Sequence, residues 1–100
     1  MARARLDLHN VLLGICENVY YRSPASVEMV YPAIRYQKKK PDTKHANNKT
    51  YLTMNCYEIT VISTRADDPI NEKLAELQYC EWDRGYRSDN LEHDVYTLYF

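Results

Sequence analysis

An α+β domain, two helices packed on an antiparallel sheet in the order α-β-β-α-β-β, is the fold class this sequence predicts. Three observations carry it. Apolar residues recur at three- and four-residue steps near the start, Tyr57, Ile59 and Val61 alternate with Glu58 and Thr60, and an aromatic, β-branched run closes the chain at Phe100. At 11.9 kDa the whole of 1–100 is expected to form one domain with a modest core.

The first element is expected over 4–19 as an amphipathic helix. Leu8, Leu12, Ile15, Cys16 and Val19 form its stripe, Leu6 and Leu13 widen it, and Gly14 weakens it by about 1 kcal/mol relative to alanine. Ser23-Pro24 breaks the pattern. A strand follows over 27–36, and Pro32 inside it cannot donate to a ladder, so this strand is expected at a sheet edge or at a bulge. Residues 37–50 read as a long polar loop. Over 50–63 comes the clearest strand. Tyr57, Ile59 and Val61 share one face, while Leu52, Met54 and Cys56 have the opposite parity, which predicts a bulge near Asn55 or two apolar faces. Asp67-Asp68-Pro69 starts a helix that runs to about Gln78, with Ile70, Leu74 and Leu77 inward. A short extended piece over 79–86 is anchored by Trp82 and ended by Gly85, Ser88-Asp89-Asn90 turns, and 91–100 is a strand apolar on both sides.

The ten tyrosines are more than so small a core needs, and tyrosine favours boundaries where its hydroxyl finds a partner. The excess predicts a sheet that continues into neighbouring copies. The net charge of -1 argues against general nucleic-acid or membrane attraction, but the charges are segregated. Residues 37–50 carry five lysines against one aspartate, and 66–94 carry nine acids against Lys73, Arg84 and Arg87. Lys38, Lys39, Lys40, Lys44 and Lys49 could meet Asp67, Asp68, Glu72 and Glu76 of another copy. Tyr36 and Tyr51 beside the lysines could stack on bases, but a pI near 6.3 argues against nucleic-acid binding, and a lumen through which DNA merely passes would look similar.

The three cysteines, Cys16, Cys56 and Cys80, have no metal-type spacing and fit a reducing cytosol. No secretory h-region and no run of the roughly 20 apolar residues needed to cross a bilayer is present. His9 and Cys16 lie about 10 Å apart on a helix, too far to chelate one ion unaided. His93 and Asp94 point to opposite faces of a strand. Cys80 or Cys56 with His93 is the only nucleophile–base pairing on offer, and no local signature supports it. No cofactor and no enzymatic activity are expected.

The runs Val30-Tyr-Pro-Ala-Ile-Arg-Tyr36 and Tyr57-Glu-Ile-Thr-Val-Ile-Ser63, and the ending from Trp82 through Asp83-Arg84, Asp89-Asn90-Leu91 and His93-Asp94 to Phe100, resemble the tail terminator or tail-completion proteins of long-tailed bacteriophages. The resemblance spans most of the chain in matching order. It implies a virion protein, assembled in the host cytoplasm, that forms a hexameric ring on the head-proximal end of the tail tube. There it ends tube growth and presents a docking surface to head-completion proteins of the neck. Its expected partners are other copies of itself, the tail tube protein and neck proteins. A head–tail joining protein, a small partner-binding phage protein and a minor enzyme built on Cys80 and His93 are the competing readings.

Overall fold

The computed structural model describes residues 4–22, 30–40, 54–65 and 67–100. Helix α1 spans Arg5–Leu13 and is shorter than the periodicity predicts. Past Gly14 the last turn tightens, with Ile15 N–H and Cys16 N–H both donating to Leu12 O at 2.9 Å. Val19-Tyr20-Tyr21 then prefers extended backbone and forms strand β1, Val19–Tyr21. The stripe is also narrower than expected. Leu8 and Leu12 are fully buried, whereas Leu6 and Leu13 face solvent.

Strand β2 spans Ala33–Lys38. It begins directly after Pro32, so the proline costs the ladder nothing and β2 is an inner strand, not the expected edge. Residues 27–29 of the predicted strand lie outside the described residues. Strand β3, Cys56–Ser63, has Tyr57, Ile59 and Val61 on one face as the alternation predicts. Cys56 and Ile62 are buried on the other, so β3 has two buried faces. Helix α2 covers Pro69–Ala75, with the Asp68 carboxylate accepting from Ile70 N–H at 3.0 Å and proline in the first turn. Strands β4, Cys80–Ser88, and β5, Leu91–Tyr99, form a hairpin. Its two turn residues Asp89 and Asn90 have φ of 53° and 63°, the left-handed pair that a tight hairpin needs and that aspartate and asparagine tolerate.

The sheet order is β1-β2-β3-β5-β4. All neighbours are antiparallel except β1 and β2, which are parallel with Val19 opposite Ile34. Among the described residues the fold is thus one mixed five-stranded sheet with two helices, and the predicted all-antiparallel sheet missed the short parallel strand. Cross-strand partners share a face, which fixes the layers. Ile34, Tyr36, Tyr57, Ile59, Val61, Tyr96 and Leu98 look towards α1 and α2, whose Leu8, Leu12, Ile70 and Leu74 close the core. The tyrosines are less peripheral than expected, since Tyr36, Tyr57, Tyr96 and Tyr99 are buried. Two of these have visible anchors: Tyr36 O–H lies 2.7 Å from His9 Nδ1 and 3.1 Å from Arg5, and Tyr96 O–H donates to Asn71 at 2.8 Å.

Candidate subunit interface

Strand β4 is an outer edge of the sheet, and from Glu81 to Ser88 every residue is exposed. Trp82 is 57% exposed, so it is not the buried anchor its size suggests, and Tyr86 is 46% exposed. Both rings are nonetheless held. The Trp82 indole N–H donates to Asp94 Oδ1 at 3.2 Å, and Tyr86 stacks on His93 with ring centroids 4.7 Å apart at 10°. The Asp94 carboxylate lies over Gly85, where a Cβ would come within 2.9 Å of Oδ1. A larger residue here would have to push the Asp94 carboxylate aside, and β4 runs straight through Gly85 to Ser88 instead of stopping. A one-residue irregularity between Trp82 and Arg84 leaves Asp83 unopposed and places Trp82 on the helix-covered face, Tyr86 on the other. The charges along β4 are ordered, with Glu81 and Asp83 first, Arg84 and Arg87 last.

A long, exposed strand edge carries a row of backbone groups that another chain can use. Charged side chains and an irregular register are common ways of blunting such an edge, and β4 has both. Two fixed, outward aromatics are not a blunting device, since they offer apolar contact area at little entropic cost.

The opposite edge is β1, flanked by exposed Glu17 and Arg22. Tyr21 lies under the Arg5 guanidinium at 4.2 Å and against Tyr36 at 4.9 Å, so this edge too is built on fixed rings. Sequence reasoning missed β1 because three strand residues in a helical stretch leave no period to read.

Among the described residues, Lys38, Lys39 and Lys40 stand apart from Asp67 and Asp68 within the subunit. Lys38 and Lys40 are exposed at the end of β2, and Lys39 reaches Thr97 Oγ1 at 2.9 Å. Lys39 N–H bonds to Cys56 O at the start of β3, whereas Asp67 and Asp68 follow its end, about 23 Å away along an eight-residue strand. Asp67, Glu72 and Glu76 are exposed. Asp68 is buried, capping α2, accepting from Ser63 Oγ at 2.9 Å and lying 3.9 Å from Arg65, so it serves the subunit interior. Lys44 and Lys49 lie outside the described residues.

The alternative nucleophile pair is not assembled. Cys80 sits opposite Leu98 on the core face, and His93 stands five residues along β5 on the other face. Burial pushes the Cys80 thiol up to about 11, which keeps it protonated at neutral pH. Among the described residues no three His, Cys, Asp or Glu side chains converge on a metal-sized site, and no helix is long and apolar enough to cross a membrane. No protein-family model, no curated protein and no solved structure matches the chain.

Proposed function

We propose that this chain is a structural subunit that assembles with copies of itself into a ring capping the head-proximal end of a phage tail tube. The edge strand β4, exposed from Glu81 to Ser88 with Trp82 and Tyr86 held outward, carries the self-assembly part of this reading. The position on the tail rests on the resemblance of Val30–Tyr36, Tyr57–Ser63 and Trp82–Phe100 to tail terminators. In this role the protein makes and breaks no covalent bond. It acts by offering one surface to the tube, another to the neck, and its edges to its own kind, while DNA passes through the opening. Six-fold symmetry is the form the resemblance implies.

Electron microscopy of tails assembled with and without the protein tests this. Over-length tubes in its absence, restored to uniform length on adding it back, are the expected result. Tubes of normal length that lack only heads would assign it to the joining step instead. Failure to bind tubes at all would end the proposal.

A further inference from the structure

The geometry points to the partner of the β4 edge: the β1 edge of the next copy, joined head to tail so that the sheets run on from subunit to subunit. This deepens the ring reading and rests on it for the biological setting, but it is argued from the strands alone.

From β1 to β4 across the sheet, the strands run up, up, down, up, down, because only β1 and β2 are parallel. The two edge strands are therefore antiparallel to one another. Repeating the subunit sideways without turning it over brings β4 of one copy beside β1 of the next in the favourable antiparallel sense, helix-covered faces aligned. A heterologous contact of this kind closes into a ring when the rotation per copy allows.

Register comes next, and one register satisfies both faces and charge. Val19 and Tyr21 lie on the helix-covered face, because their partners Ile34 and Tyr36 do, and Tyr20 lies on the other. On β4, Trp82, Gly85 and Arg87 share the helix-covered face, and Glu81, Arg84 and Tyr86 the opposite one. If the unopposed Asp83 stays unopposed on this side too, Tyr21 meets Trp82 and Tyr20 meets Arg84. Val19 then lies opposite Gly85, and the ends fall into place, Arg22 against Glu81 and Glu17 against Arg87, which also lies 3.7 Å from Glu92 of its own subunit. Both ends are thus opposite in charge, and an aromatic pair sits between them. Cross-strand pairs of these kinds are the stabilising ones in antiparallel sheets. A parallel approach would set acid against acid.

The competing occupant is a second β4, paired about a two-fold axis. It also joins acidic to basic halves, but it leaves β1 unused, giving dimers and no ring.

The test uses the full chain and analytical ultracentrifugation. Arg22→Glu alone and Glu81→Arg alone should each weaken association by about fivefold or more, from the size of exposed pairs. The chain carrying both changes should regain wild-type association to within about twofold. Tyr20→Cys combined with Arg84→Cys should give a ladder of disulfide-linked oligomers under mild oxidation, and neither change alone should. This second readout does not depend on the charge variants folding well.

Wild-type protein that assembles while Arg22→Glu associates normally and no ladder forms would overturn the β1–β4 seam and leave the ring reading standing. Assembly through these residues with no affinity for tail tubes would remove the tail reading and keep the seam. A chain that stays monomeric at every concentration would remove both.

Discussion

The hydroxyl of Tyr57 is buried with no hydrogen-bond partner among the described residues, and burial raises its pKa. A buried hydroxyl without a partner costs the fold free energy, so Tyr57→Phe should hold or raise stability by about 1 kcal/mol. Urea unfolding measures this, and a clear loss would show that the oxygen has a partner after all. Asp68 is the opposite case. It caps α2 and binds Ser63, so Asp68→Ala should lower stability by about 1–2 kcal/mol in the same assay. The cap was legible in Asp67-Asp68-Pro69, but its bond to Ser63 was not, because nothing local links the end of a strand to the next helix start.

Alkaline pH probes two more side chains. Burial lifts Cys80 from 9.0 to about 11 and, aided by Asp94, Tyr96 from 10.0 to about 12. The folded state holds both protons more tightly than the unfolded chain does. Their contribution is complete below about pH 9 and is lost as pH rises through 11 for Cys80 and 12 for Tyr96. Thermal melts should therefore fall over this range, and Cys80→Ala should flatten the fall between pH 9 and 11.

Among the elements, those with an unbroken period were legible from their residues. Tyr57, Ile59 and Val61 placed β3, and Asp67-Asp68-Pro69 placed α2. Boundaries failed where two signals overlapped. Ile15, Cys16 and Val19 fit a helical stripe, yet Gly14 and the β-prone Val19-Tyr20-Tyr21 divide them between a turn and a strand. Pro32 was read as lying inside a strand when it stands one residue before it. Gly85 was read as a stop, but it makes room for Asp94. The β4–β5 turn was read correctly from Ser88-Asp89-Asn90, and its left-handed backbone gives a sharp expectation. Asn90→Val should cost about 1–2 kcal/mol, because a branched Cβ crowds that conformation, whereas Asn90→Gly should be tolerated. Paired denaturation curves would show the difference.

For the whole molecule, the segregated charge seen in the sequence is real, but its geometry could not be read from it. Lys38 and Lys40 stand at one end of β3, Asp67 at the other, and the strand between them sets the distance. Copies arranged side by side in one orientation cannot bring these groups together, since like ends stay level. If the seam runs through the strands, raising salt should affect association only modestly, because its ladder bonds are unscreened. Sedimentation across a salt series tests that.

Repeated in one orientation with the strands along the axis, copies make a closed assembly with two unlike sides, Lys38 and Lys40 on one and Asp67 on the other. Such an object carries its own sense of up and down. Gold labels attached through Lys40→Cys and through Asp67→Cys should therefore decorate opposite sides of it in electron micrographs.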